Sequence, residues 1–297
     1  MSFQFSFPAL GTVWWLEITR ELSETESHSL TTGVTFLLSE FEAKYSRFKE
    51  NSLISHLNKD GVLDSPDNET IEILRLGQRL CTETDGLFNP LVGAHLVARG
   101  YDANYSFKPS AEPSTFSSPH TDLEVSKDKI ILKNGSLDLG GYGKGYALDM
   151  LAKYLKEEFG EYDFLINAGG DIITSNKSAE PWEIYLEHPL KDKTYLGKIT
   201  LENKAFASSS PHKRRWKVGD KTYTHIVDTA NTTEKPDASF VIAETALKAD
   251  VLGTVLLIAP PTQYNSLLNN FEAVAALVNL EKNTLTSLHN FPKILPI

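Results

Sequence analysis

The chain has 297 residues and a formal net charge of −10, with 41% hydrophobic and 23% charged residues. That length can bury a substantial core, and the composition excludes a disordered or low-complexity protein. The acidic balance opposes nonspecific binding to nucleic acid or to an acidic membrane surface, so neither is an expected partner. Cys81 is the single cysteine, which excludes intramolecular disulfides and cysteine-rich metal sites. It falls within the apolar pattern Ile71, Leu74, Leu80 and reads as a buried thiol. The opening MSFQFSFPALGTVWW has no basic segment ahead of an apolar core and no lipobox-like cysteine, so the expected location is cytoplasmic. The most apolar window, 251–259, is far shorter than the ~20 residues of a membrane span, and no membrane insertion is expected.

In chain order, residues 3–19 are rich in aromatic and β-branched residues and read as a strand interrupted near Pro8 and Gly11. Leu30, Val34, Leu37 and Phe41 follow the spacing of an amphipathic helix that runs out near Tyr45. A second helix is predicted over 68–82, ending before Asp85-Gly86. Residues 103–121 hold three prolines among polar residues and read as an exposed loop. Ile130, Ile131 and Leu132 lead through Asn134-Gly135 toward Leu137 and Leu139, an alternation that reads as a hairpin. Tyr146, Met150, Tyr154, Leu155 and Phe159 then recur at helical spacing. Strands are predicted over 162–166, 182–187 and 215–227, the last broken into a hairpin at Gly219-Asp220. Helices over 246–257 and 262–270 precede a terminal hairpin, 274–280 with 284–289. Helices and hairpins mix without strict βαβ alternation, which favours an α+β fold in one domain over 1–297.

The chemistry-bearing stretch is LDLGGYGKGYALD at 137–149, where glycines and Lys144 stand at a strand-to-helix junction. Exposed amide N–H groups at a helix start, glycines that admit close approach and a lysine charge together favour an anion. The stretch matches neither the P-loop nor the GxGxxG fingerprint, so a glycine-rich packing turn with a solvated lysine stays open as the alternative. FLINAGGDI at 164–172 ends a strand in glycines before Asp171, for which a turn cap is the simpler reading. THIVD places His225 and Asp228 at the exit of a hairpin strand, where a structural histidine and a general base are both possible. KADVLGT puts Asp250 and Thr254 four apart on one helix face, offering two hard oxygen ligands of the kind magnesium takes. A helix-start carboxylate with a threonine bonded to its own backbone is the alternative.

The order of these pieces resembles the family of FAD:protein FMN transferases, formerly called thiamine-biosynthesis lipoproteins. The resemblance spans almost the whole chain. It is carried by ALGT at 9–12, YSRFKENSLISHLN at 45–58, TDGLFNPLVG at 84–93, LDLGGYGKGYALD at 137–149, LINAGGD at 165–171, HIVD at 225–228 and ADVLGT at 249–254. It implies a T-fold-like α+β architecture with antiparallel sheets and packed helices, FAD as substrate and Mg2+ as cofactor. It implies a metal held by Asp250, Thr254 and the Gly141 carbonyl, FAD contacts at Leu10, Leu87, Phe88, Asn89, Asp138 and Lys144, and a catalytic role for His225. The implied reaction moves the FMN half of FAD to a threonine of an acceptor protein domain and releases AMP.

The chain also departs from the family pattern. Ser208-Ser209-Ser210 stands where Thr-Ser-Gly is usual, and residues 228–232 replace Asp-Pro-x-Thr-Gly. Leu10 replaces a Met and Leu53 a Glu. These loops bear on the flavin pocket and the acceptor entrance, so an FAD pyrophosphatase giving FMN and AMP, and a non-catalytic FAD-binding protein, are the alternative readings. No Ser-Gly-Ala-Thr acceptor sequence occurs in the chain itself, so self-flavinylation is not expected.

Overall fold

The computed structural model describes residues 2–230 and 232–297. Residues 1–40, 142–213 and 234–297 form one compact unit, and residues 41–141 with 214–233 form a second. Among the described residues no helix is long and apolar enough to cross a membrane.

The first unit is built on an eight-stranded antiparallel sheet. Its strands lie in the order Phe3–Ala9, Thr12–Ile18, Phe164–Ala168, Asp171–Ser175, Ala205–Ser209, Ala238–Ala243, Val274–Asn279 and Thr284–Leu288. The stretch predicted as one interrupted strand is a hairpin, turned by Leu10 (φ 50°) and Gly11 (φ 70°). Two consecutive left-handed residues match the twist of the flanking strands. Pro8 is accommodated because Phe3–Ala9 is the sheet edge. Trp14, Leu16 and Ile18 point inward while Val13 and Trp15 are exposed, the alternation of a half-buried strand.

The middle of this sheet is covered on both faces. One face packs on a separate hairpin, Trp182–Glu187 with Tyr195–Leu201, in a core of Ile184, Leu186, Ile199, Leu201, Phe206 and Phe240. The helices Gly143–Glu158 and Ala246–Leu256 pack against the sheet strands as well. Double cover explains why Ala238–Ala243 and Asp171–Ser175 are buried at every position. Without alternation they escape a search for period two, as does Ala205–Ser209. The Gly143–Glu158 helix forms as expected, but its buried stripe is Ala147, Leu148, Leu151 and Leu155, with Tyr146, Met150 and Tyr154 only half-buried. The Glu24–Tyr45 helix buries Leu30, Val34, Leu38 and Phe41.

The second unit holds the helices Leu53–Asp60, Asn68–Glu83 and Gly93–Ala98 and a three-stranded sheet ordered Val62–Asp64, Lys129–Leu132, Leu123–Val125. Ser52 and Asp67 cap the first two helices by accepting the N–H of Ser55 and Thr70. Cys81 is buried, which pushes its thiol pKa up. The expected hairpin at Asn134-Gly135 does not form. Lys129–Leu132 pairs with Leu123–Val125 and Val62–Asp64 instead, and residues 137–139 are irregular. Partners from elsewhere in the chain outcompete the local turn. Residues 103–121 carry no helix or strand, yet Tyr105 stacks on Phe48 at 5.1 Å between centroids. Gly219-Asp220 does turn a hairpin, Arg215–Val218 with Lys221–Thr224.

Candidate functional site

In the first unit the glycine-rich junction becomes the start of the Gly143–Glu158 helix, and a charged cluster forms around it. Tyr142, at the N-cap, is fully buried and offers no side-chain cap, so the first-turn N–H groups are left to other partners. Gly145 N–H donates to Asp250 Oδ2 at 2.9 Å. Lys144 Nζ pairs with Asp171 and lies 3.9 Å from Asp250 Oδ1. Both carboxylates are almost inaccessible, with side chains 3% and 7% exposed, whereas the lysine side chain is 25% exposed. Asp171 Oδ2 has this ion pair and no conventional hydrogen bond among the described residues. Asp171 is therefore not the turn cap its sequence context suggested. It opens the Asp171–Ser175 strand after Gly169 and Gly170, both left-handed at φ 64° and 106°.

Asp250 stands in the second turn of the Ala246–Leu256 helix, with Thr254 one turn further on the same face and half-buried. Burial pushes the Asp250 carboxyl upward, against the opposing pull of Lys144 and the Gly145 N–H. An incoming cation would relieve that desolvation cost. The donor types, a carboxylate and a hydroxyl, suit Mg2+, which ordinarily completes its shell from carbonyls, water and substrate phosphates. Among the described residues no group of three His, Cys, Asp or Glu is placed to hold a metal ion. Leu10 is the first residue of the N-terminal hairpin turn and is half-buried. The serine run adopts no left-handed conformation, so Ser210 needs none of glycine's freedom. Its hydroxyl donates to Asp237 O at 2.8 Å and accepts from His212 N–H at 3.2 Å.

In the second unit Leu87 and Phe88 are buried and Asn89 half-buried. Asn89 Nδ2 donates to Ser117 O and its Oδ1 accepts from Leu91 N–H, both at 2.8 Å, so the side chain braces its own loop. The Asp138 carboxylate is engaged internally: Arg47 Nε pairs with it, and Gly140 N–H donates to Oδ1 at 2.5 Å. Arg47 also donates to Tyr101 O and lies 4.2 Å from the Phe48 ring centroid. A side chain at Gly141 would crowd Phe88, whose Cε2 lies 3.2 Å from the position of an added Cβ. His225 follows the Lys221–Thr224 strand, with Nδ1 3.2 Å from Arg214 O. Thr229, in the altered 228–232 loop, donates to Leu87 O at 2.9 Å. Asn231 of that loop lies outside the described residues.

The first unit thus sets Lys144 beside Asp250, with Thr254 one helical turn from Asp250, and also carries Leu10, while the second carries Leu87, Phe88, Asn89, Asp138, Gly141 and His225. Sequence reading passed over three participants. Arg47 lay unremarked in YSRFKENSLISHLN, Asp149 in GYALD, and Asp171 was read as a turn residue. The charges of Asp138 and Lys144 within an otherwise apolar, glycine-rich stretch are the sequence signal that points to such counter-charges.

Together these features define an α+β protein with an acidic, lysine-bearing cradle at a glycine-rich helix start. Comparison with known proteins narrows that class. The model of the ApbE family matches residues 10–278, and the chain belongs to that family. It is 25% identical over 273 residues to the FAD:protein FMN transferase of Vibrio cholerae serotype O1, covering 85% of this chain and 80% of that protein. It is likewise 25% identical over 274 residues to the FAD:protein FMN transferase of Escherichia coli strain K12, covering 85% and 77%. Among solved structures, the ApbE protein of Thermotoga maritima superposes with a TM-score of 0.83 at 22% identity over 98% of each chain. The apo flavinyl transferase ApbE of Pseudomonas stutzeri gives 0.81 at 19% identity over 97% of this chain and 95% of that one. At those identities the structural likeness speaks for the fold.

Proposed function

We propose that this protein is an Mg2+-dependent transferase that moves the FMN moiety of FAD to a threonine hydroxyl of an acceptor protein and releases AMP. The observation that carries the reading is the meeting of Lys144 with Asp250 at a glycine-rich helix start, with Thr254 one turn along the same helix face, in a chain matched by the family over residues 10–278. That match runs through both units, which supports treating 1–297 as one flavin-transferase-like domain.

Asp250, Thr254 and the Gly141 carbonyl would hold the Mg2+, which when bound supplies charge neutralisation to the pyrophosphate. Lys144 keeps a quarter of its side chain accessible and would meet a phosphate oxygen from there, with Asp171 holding it in place. Leu10, Leu87, Phe88 and Asn89 are the flavin-side contacts of this reading, with Asp138 held by Arg47. His225 would take the proton of the threonine hydroxyl as its oxygen bonds to the FMN phosphorus and the phosphoanhydride bond breaks to release AMP.

An FAD pyrophosphatase would use the same groups with water in place of threonine. Incubating the protein with FAD and Mg2+, with and without an FMN-accepting domain, separates the two. Covalent flavin on the acceptor, with AMP release that depends on it, supports transfer. AMP and free FMN without acceptor establish hydrolysis instead, and tightly bound FAD with no AMP establishes a carrier.

A further inference from the structure

The two helices that carry the candidate phosphate and metal groups are tied together at their starts, each by a residue of the other. Gly145, in the first turn of the Gly143–Glu158 helix, donates its N–H to Asp250 Oδ2 at 2.9 Å. In return Asp149, one turn further along that helix, accepts the N–H of Ala246 on Oδ1 at 2.8 Å and the N–H of Leu247 on Oδ2 at 3.0 Å. Those are two of the N–H groups that the start of the Ala246–Leu256 helix leaves unpaired. The helix already has a local cap, since Thr245 Oγ1 accepts from Lys248 N–H at 3.2 Å. Asp149 and Thr245 together satisfy three of the N–H groups at that helix start, and Asp149 does so from the other helix. The backbones also run close: a Cβ on Gly145 would lie 2.7 Å from both Ala246 O and Leu247 Cα. One face of the latch thus sets where Asp250 points, and the other sets the pitch of the helix on which Asp250 and Thr254 share a face.

We infer that Asp149 is a positioning residue for the site, holding the Ala246–Leu256 helix so that the Asp250 carboxylate and the Thr254 hydroxyl converge on one cation. The inference rests on the metal reading above. Asp149 is outside the proposed ligand set and acts through the helix start. Asp149→Asn keeps the side-chain shape and one acceptor, but sets an amide NH2 against a backbone N–H, which opens half the latch.

The test compares wild type, Asp149→Asn and Asp67→Asn. The last alters a cap of the same kind on a different helix, where Asp67 accepts Thr70 N–H at 2.8 Å. Mg2+ binding is measured by titration calorimetry with and without FAD, well below each unfolding midpoint, and amide exchange is followed over 246–250 in metal-free protein. Asp149→Asn is expected to weaken Mg2+ binding 10- to 100-fold, the usual effect of losing an outer support of a metal site, and to speed exchange over 246–250. Asp67→Asn is expected to lower the unfolding midpoint while leaving Mg2+ affinity within twofold. Unchanged Mg2+ affinity in Asp149→Asn, or equal weakening in Asp67→Asn, overturns the positioning role. Should Asp149→Asn not fold, Asp149→Glu is read by the same criterion. A wild type that takes up no Mg2+ either alone or with FAD present overturns the metal reading itself, and the positioning role with it.

Discussion

Replacing Lys144 by methionine removes a cation from between two buried carboxylates while keeping most of the side-chain volume. At 3.9 Å from Asp250 Oδ1, and at an effective dielectric of about 20, the Coulomb attraction is on the order of 4 kcal/mol, before the closer Asp171 contact is added. Water entering beside a lysine that is 25% exposed, and proton uptake by Asp250, return part of that loss. The net cost at pH 8 is about 3 kcal/mol, the low end for breaking a buried pair from one side. The pH dependence has a defined sign. Burial already raises the Asp250 carboxyl, so the folded state holds its proton more tightly than the unfolded chain. Stability from such a group is present at low pH and lost as pH rises, and removing Lys144 strengthens this trend. Urea unfolding in EDTA should show a deficit that is largest at pH 8 and shrinks toward pH 5. Adding Asp171→Asn should recover at least half of it, a coupling that a double-mutant cycle measures. A deficit below 1 kcal/mol at pH 8, or one that grows as pH falls, refutes the buried-pair account.

Leu10→Gly should raise unfolding stability by about 1 kcal/mol, because a leucine at φ 50° pays the left-handed penalty that glycine escapes, while FAD binding measured by fluorescence quenching weakens. Gly145→Ala should cost about 1–3 kcal/mol in the same denaturation assay, since its Cβ meets backbone atoms of Ala246 and Leu247 that have no rotamer to give way. The Asp149 carboxyl is pushed up to about 6, chiefly by burial, from an ordinary 3.8. Its stabilising contribution is therefore complete below pH 4 and lost as pH rises through 6, an effect on the order of 3 kcal/mol in metal-free protein. Asp149→Asn should flatten that segment of the stability profile, and an unchanged slope between pH 4 and 7 would assign it to other groups.

Elements whose signals are local were legible in the sequence. Asn68–Glu83 carries a cap in Asp67 and an apolar stripe through Ile71, Leu74 and Leu80, and the Trp182–Glu187 strand alternates. The Val274–Asn279 and Thr284–Leu288 hairpin is likewise continuous in the chain. Ala238–Ala243 and Asp171–Ser175 were not legible, because a strand covered on both faces has no polar beat. Asn134-Gly135 misled for the opposite reason: a strong local turn signal lost to strand partners from residues 62–64 and 123–125. In the candidate site, helical spacing alone puts Asp250 and Thr254 on one face, whereas their reading as metal ligands rests on the family resemblance. The Lys144–Asp171 and Arg47–Asp138 pairs depend on which distant segments the fold joins, which residue type and spacing do not encode.

The interleaving of the two units governs how the chain is made. The strand Thr12–Ile18 pairs with Phe164–Ala168, so the long 41–141 segment of the second unit is synthesised before that sheet partner exists. The sheet then waits for Ala238–Ala243 and Val274–Asn279, and the second unit waits for residues 214–233. On the ribosome, neither unit reaches its complete set of partners until most of the chain has emerged, which leaves the inward face of the Thr12–Ile18 strand without its later sheet neighbour over that interval.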